Sequence, residues 1–440
     1  KDILRRLERY GRHMLIFEKS AAPPAPVPLS SAEADAAILE EQVIYDLSDA
    51  GNWREERAVK MKILTPAGIR RFAELKIGYN PAWEDVQLAS GSVTSSERRE
   101  GERQVYDIHP QEINIIDAGW VGEAPRYPPS KIFVASFPRV ELGSIIDYRL
   151  VRHYRHRPFF AAQESFQSME AIESKTVTIK APRRLRLKFK GERLAECGVR
   201  QTPAATEGEN NVFKWSAEKM PPVRRESDLP PWYAFTPTLF VSAGEWKAYA
   251  VEAEKALMTA SSNQAAAEAK AAEIIRGVEG EADKIIALRD FVAKNVRAAG
   301  PRLNEAPLTA ITSADRALAE GYGSSADRAA LIFALLKASG YKPEFVLASW
   351  APLGQGLERP LIEYPASSLF DGVLVRVFLK HRWVYLNDTD QYAALGATPH
   401  DGRLGLMLPH GQIETITAYP EEQDRDEIVY AIEPVSYTHL

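Results

Sequence analysis

Tyr322-Gly323-Ser324-Ser325-Ala326-Asp327-Arg328-Ala329-Ala330-Leu331 is the stretch on which the reading of this chain turns. A serine pair followed by an aspartate has the form of a helix start. Ser324 or Ser325 can cap the orphan N–H groups, and Ser324-Ser325-Ala326-Asp327 resembles a capping box with aspartate replacing glutamate or glutamine. From about Asp327 to Ser339, Leu331, Ile332, Leu335 and Leu336 recur at helical spacing, and Gly340 supplies the residue that closes the helix. Strands are expected after it at Phe345-Val346-Leu347, from Gly372 to Leu379 and from Trp383 to Leu386, with Lys380-His381-Arg382 as a short hairpin connection. Upstream, Ile285, Leu288, Phe291, Val292 and Val296 share one helix face, and the alanine-rich residues 264–272 form a helix of little apolar bulk. Helices followed by antiparallel strands make this half α+β.

The half before it is patterned differently. Val59, Met61 and Ile63 alternate with charge, as do Leu75, Ile77 and Tyr79, then Ile146, Tyr148 and Leu150, and Val177 and Ile179. Period-two alternation, with turns such as Pro66-Ala67-Gly68 and hardly any helical periodicity, argues for half-buried antiparallel strands. An antiparallel β-sandwich-like domain is expected. Ahead of it, Ala22-Pro23-Pro24-Ala25-Pro26-Val27-Pro28 is proline-dense and reads as a linker, preceded by a helix carrying Ile3, Leu4, Leu7, Met14 and Leu15. A second break falls at Leu229-Pro230-Pro231-Trp232-Tyr233. The expected multi-domain division is therefore 1–32 helix and linker, 33–235 β-rich domain, 236–420 α+β domain, and 421–440 a C-terminal segment. The ends at Lys1 and Leu440 read as those of a fragment, with Ser436-Tyr437-Thr438-His439-Leu440 expected to be non-native.

Composition excludes several classes. The 440 residues carry 55 Lys and Arg against 60 Asp and Glu, a formal charge of -5 that argues against a binder dominated by phosphate contacts. The cluster Arg183, Arg184, Arg186 and Lys188 alternates with Leu185, Leu187 and Phe189, so it reads as the solvent face of a strand. The single cysteine, Cys197, rules out an internal disulfide and any multi-cysteine metal site, and its polar turn does not suit a nucleophile. His153 and His156 have a spacing that suits a metal but lack an evident third ligand; a solvated face is the better reading, and no metal or cofactor is expected. No apolar run approaches the length of a membrane span.

Two stretches together resemble a known family. Ile63-Leu64-Thr65-Pro66-Ala67-Gly68-Ile69, Ile77-Gly78-Tyr79-Asn80 and Phe137-Pro138-Arg139-Val140-Glu141-Leu142-Gly143-Ser144-Ile145-Ile146-Asp147-Tyr148 resemble the β-rich domain of unknown function that precedes transglutaminase-like domains in bacterial envelope proteins. Ala287-Leu288-Arg289-Asp290-Phe291-Val292 onward through Gly396 resembles the transglutaminase-like, papain-related core that follows it. The resemblance implies a cysteine-protease-type fold and a periplasmic or cell-surface location. It also implies a Cys-His-Asp triad. The cysteine position is Ser325, the histidine position is Gly372 after Phe370-Asp371, and the aspartate is kept as Asp388 in Leu386-Asn387-Asp388-Thr389-Asp390.

The family's chemistry needs a thiolate at a helix N-terminus and an imidazole oriented by the carboxylate. A serine hydroxyl is a poor nucleophile without an adjacent base, and Gly372 offers none. In template cases loss of the triad costs on the order of 10⁶ in rate. The first expectation is a non-catalytic relative, a pseudoenzyme whose cleft binds peptide or cell-wall glycan or serves as scaffold, with no nucleic-acid partner. The alternatives are a hydrolase or acyltransferase that uses Ser325 with a displaced histidine, or a fragment of a larger enzyme. His381 sits in a hairpin turn, whereas His400 and His410 belong to a loop able to fold over the cleft. Asp388 with Thr389 has a second reading, local support of a strand end. Trp120, Tyr127 and Trp232 read as core or interdomain packing rather than as a sugar platform.

Overall fold

Alternating apolar and charged residues give the N-terminal half its sheets. In this computed structural model, which describes residues 34–99, 102–227, 229–351 and 356–417, that half holds fourteen strands among the described residues. They are β1 (Ala36–Leu47), β2 (Trp53–Ile63), β3 (Glu74–Tyr79), β4 (Glu84–Arg99), β5 (Glu102–Asp107), β6 (Ile113–Asp117), β7 (Lys131–Ser136), β8 (Ile145–Tyr154), β9 (Ala161–Ser165), β10 (Ala171–Pro182), β11 (Lys188–Glu192), β12 (Arg200–Glu207), β13 (Asn210–Met220) and β14 (Thr238–Ser242). Eight form one sheet in the order β12-β13-β10-β1-β2-β8-β4-β5, and two three-stranded sheets, β3-β7-β6 and β11-β14-β9, complete the half. Val43, Val177 and Ile179 of the large sheet pack with Leu239 and Val241 of the β14 sheet, and Val86 and Leu150 pack with Phe133 and Ala135 of the β7 sheet.

Several expectations are corrected here. The large sheet is not wholly antiparallel, because β1 and β10 run parallel, with Val43 opposite Val177. Pro66-Ala67-Gly68 opens a short helix, α1 (Pro66–Phe72), in which the Thr65 side chain accepts the Gly68 N–H; proline is well suited to a first helical turn. Arg183 to Leu187 form a turn rather than a strand face, because Leu185 N–H donates to the Pro182 carbonyl at 2.8 Å. β14 belongs to the β-rich half although it lies beyond residue 235. The helix expected at residues 3–15, the proline linker and the segment 421–440 lie outside the described residues.

A charge cluster pins the β14 sheet to the large one. Cross-strand neighbours Glu41 and Lys175 sit 3.1 Å apart, and Arg57 on β2 reaches Glu41 at 2.5 Å. Glu164 comes from β9, opposite them, and takes Arg57 at 2.5 Å, Lys175 at 3.0 Å and the Tyr45 hydroxyl at 2.7 Å. Burial alone would raise the Glu164 carboxyl, but Arg57 and Lys175 outweigh it and hold it down at about 2.

The C-terminal half is built on helices α2 (Trp246–Ser261), α3 (Ala265–Ile274), α4 (Glu281–Asn295), α5 (Ala314–Glu320) and α6 (Ser325–Ala338). Short strands β15 (Arg297–Ala298) and β16 (Tyr322–Gly323) pair in parallel. The remaining strands are β17 (Pro343–Ala348), β18 (Gly372–Leu379), β19 (Arg382–Leu386), β20 (Leu404–Met407) and β21 (Gln412–Thr415), in the order β19-β18-β17-β20-β21. Lys380 and His381 take positive φ at the β18–β19 hairpin, the form a two-residue turn prefers. Every residue from Ala326 to Leu336 is buried, so α6 is a central helix with no solvent face. Leu331, Leu335 and Phe333 meet Leu347, Val373 and Phe345 across it, with the Phe333 and Phe345 rings stacked at 4.2 Å.

Glu164→Gln removes the buried carboxylate that two cations share. Loss of about 3 kcal/mol is expected at neutral pH by urea denaturation, since breaking a buried pair strands its partner charges. The unfolded chain binds the Glu164 proton near 4.5 and the folded chain only near 2. The wild type therefore loses stability as pH falls from about 4.5 toward 2, and the variant loses less over that window.

Candidate functional site

The start of α6 is held from several directions. Ser324 is the N-cap, its hydroxyl accepting the Asp327 N–H at 3.4 Å while Asp327 accepts the Ser324 N–H at 3.3 Å. The capping box read from the sequence is thus present. Asp327 is fully buried and does more than cap. Its Oδ1 accepts the Thr312 N–H at 2.6 Å, and from the β-rich half Arg126 reaches Oδ2, the oxygen that faces the Ser324 N–H, at 3.1 Å and the Tyr127 hydroxyl donates to the same Oδ2. Tyr127 also accepts the Ser324 N–H at 2.6 Å, and Arg126 donates to the Tyr322 carbonyl at 3.1 Å and stacks over the Tyr322 ring. Burial beside the Asp327 charge pushes the Tyr127 phenol up to about 12, so it remains a donor.

Ser325, the first residue of α6, is half-buried and opens on a cleft of about 300 Å³ lined also by Gly300, Trp350, Asp371, Gly372 and His400. Two of the three sequence-derived positions therefore meet in one cleft. Gly372 begins β18 there, and a Cβ on it would lie 3.6 Å from His400 Nε2. His400, brought in by the loop before β20, thus stands beside the position the resemblance assigns to histidine. Its Nδ1 faces the Ser349 carbonyl at 3.5 Å and its ring lies against Trp350 at 4.4 Å. Burial lowers its pKa from the ordinary 6.5, against the Ser349 carbonyl and the Asp371 and Asp388 charges. At neutral pH the ring is uncharged, and a proton on Nδ1 leaves Nε2 as the free base. Among the described residues no hydrogen bond joins His400 to the Ser325 hydroxyl. His381 and His410 are exposed.

Asp388 follows β19 as expected, but it does not orient an imidazole. Its carboxylate accepts from Arg328 Nε at 2.8 Å, both side chains being largely buried. Arg328 also donates to the Val296 carbonyl. Local support of the strand end falls instead to Asn387, whose Oδ1 accepts the Thr389 and Asp390 N–H groups at 3.0 and 3.2 Å. The reading that gave Asp388 this role is corrected accordingly. Residues missed in the sequence are Arg328, Trp350 and Asp371. Burial raises the Asp371 carboxyl, against the pull of Arg302 at 3.5 Å, and its Oδ1 is buried with no partner. The signals were faint: Arg328 directly follows the capping aspartate and Asp371 directly precedes Gly372.

Elsewhere, no group of three His, Cys, Asp or Glu residues capable of holding a metal occurs among the described residues, and His153 lies 4.0 Å from Asp85 on an exposed strand face. Among the described residues no helix is long and apolar enough to cross a membrane.

The fold is that of a β-rich chain carrying a unit of helices and strands. One solved structure, a candidate protease from Parabacteroides distasonis, superposes with a TM-score of 0.69 at 17% identity, over 88% of this chain and 72% of its own; the likeness establishes a shared fold. A candidate cysteine protease from Cytophaga hutchinsonii is matched over 80% of this chain and 83% of its own at 10% identity, with a TM-score of 0.23 that carries no structural argument. Residues 49–224 match the family model described as Domain of Unknown Function with solved-structure structure (DUF3857). No curated protein matches the sequence.

His400 is expected to titrate below 6.5 in a pH series of imidazole carbon–proton spectra. Because the unfolded chain protonates first, this residue weakens the fold as pH falls below about 6.5. Gly372→Ala should cost less than about 1 kcal/mol in the same denaturation assay, its Cβ meeting only ordinary contacts.

Proposed function

We propose that the C-terminal half is a transglutaminase-like domain, preceded by the β-rich domain as a second folding unit, and that it acts as a pseudoenzyme. Its cleft would serve as a groove for peptide or cell-wall glycan in the bacterial envelope. The observation that carries this reading is the Arg328–Asp388 pair at 2.8 Å. The one triad carboxylate that remains is neutralised by a buried cation, and the histidine position is glycine. Ser325 then has a helix N-terminus behind it but no oriented base to take its proton. The envelope location rests on the resemblance of both halves.

A second reading is favoured by the place of His400. An unprotonated Nε2 beside Gly372 could take the Ser325 proton as Oγ attacks an acyl carbonyl, then return it to the leaving group. It requires the ring to close on the hydroxyl when substrate arrives.

A fluorophosphonate probe separates the two. The pseudoenzyme should remain unlabelled, while peptide or muropeptide titration perturbs the Trp350 indole resonance. Labelling of Ser325 that disappears in both Ser325→Ala and His400→Ala would overturn the pseudoenzyme and establish the serine pair. Thiol-directed reagents do not discriminate, because both readings lack the cysteine.

A further inference from the structure

We propose that the crevice where the β-rich half meets the C-terminal half binds a small organic acid, its carboxylate taken by Arg157 and its ring face laid on the aromatic wall that includes Trp120. The crevice has a volume of about 470 Å³ and shares no lining residue with the Ser325 cleft. That volume lies within the range of small-molecule sites. Tyr79, Trp83, Trp120 and Tyr154 supply aromatic surface, Arg152 and Arg157 supply charge, and Asn304 with Glu305 closes the crevice from the C-terminal half.

Charge pairing singles out Arg157. Arg152 is matched by Glu84 at 2.6 Å, Lys131 by Asp117 at 2.5 Å, and the Glu305 carboxylate accepts the Arg302 N–H at 3.0 Å. Among the described residues the Arg157 guanidinium has neither a carboxylate partner nor a hydrogen-bond acceptor, and its Nε is buried unsatisfied. It lies over the Trp83 ring at 4.0 Å, a contact that steadies it but leaves its donors unused. Burial lowers its pKa, the cost of a desolvated cation, although an arginine keeps its charge at any working pH. A guanidinium set against an indole face, with unused donors and no carboxylate in salt-bridge contact although Glu84 is near enough to attract it, is arranged to take a planar carboxylate.

The half-buried Trp120 is in edge contact with Tyr127 at 6.2 Å, which steadies it without covering both faces. Aromatic surface beside an unpaired arginine suits a ligand that has a carboxylate next to a flat or ring-shaped apolar face. A uronic-type sugar and a free aromatic amino acid share that chemistry.

The test is a calorimetric titration of the whole chain with two matched pairs: glucuronic acid against glucose, and N-acetyltryptophan against its amide. One acid should bind at least on the order of tenfold more tightly than its neutral partner, and the pair that responds names the ligand source. Arg157→Gln should abolish the preference for acid over neutral ligand, Trp120→Ala should weaken the binding of both, and Ser325→Ala should leave both unchanged. The matched pairs test the charge on the wild-type protein, so a variant that fails to fold does not decide the matter. If neither acid binds at millimolar concentration, or acid and neutral ligands bind alike, the proposal fails. Acid binding that survives Arg157→Gln in a folded variant overturns it equally.

Discussion

The carboxylate of Asp327 is the point through which the two halves of this chain are held in register. It is fully buried, and an unpaired charge at that depth would be strongly destabilising. It therefore has to be met from several directions: by the Thr312 N–H, by the start of its own helix, and by Arg126 and Tyr127 from the β-rich half. The same contacts place Ser325 at the mouth of the cleft, since Ser325 is the first residue beyond the cap. The geometry of the cleft is thus tied to a residue of the N-terminal half nearly two hundred positions away in sequence. The β-rich half is structurally part of the site even though Ser325, Gly372, Asp388 and His400 all lie outside it.

A second buried charge decides what the cleft can do. Arg328, one residue after Asp327, turns away from the cap and takes Asp388. Once a carboxylate is satisfied by a buried guanidinium it has little left to offer an imidazole. At Gly372 there is no side chain where a histidine would stand, and the ring of His400 approaches that place from another loop. Burial holds it neutral, and the Ser349 carbonyl and the Trp350 ring position it, without a bond to Ser325. Such an arrangement keeps a shaped groove while the proton relay of a triad is missing. Between that groove and the crevice at Arg157, the chain presents two separate concave surfaces, one near a helix N-terminus and one lined by aromatic rings.

Much of the fold was legible in the residues. Ser324 and Asp327 gave the cap of α6, Gly340 its end, and the alternation of Val59, Met61 and Ile63 a strand of the large sheet, because caps and periodic burial are local properties of the backbone. Where local reading failed, a long-range partner or local turn chemistry had prevailed. Pro66 begins a short helix because Thr65 caps it. Arg183 to Leu187 form a turn although their alternation suits a strand, and Leu185 and Leu187 still pack against the core. The parallel pairing of β1 and β10 carries no signature in either segment, since register across more than a hundred residues depends on what else the sheet contains.

The sequence by itself determined that a serine caps the central helix, that Gly372 provides no base, and that one acidic residue stands at Asp388. Those are statements of residue identity and near-neighbour geometry. Only the tertiary structure decided that Asp388 is bound to Arg328, that His400 rather than His381 or His410 enters the cleft, and that Arg157 is left without a salt-bridge partner among the described residues. Each of these depends on which charges are buried together. Pairing inside a low-dielectric interior is a property of three-dimensional proximity, to which spacing along the chain gives no access.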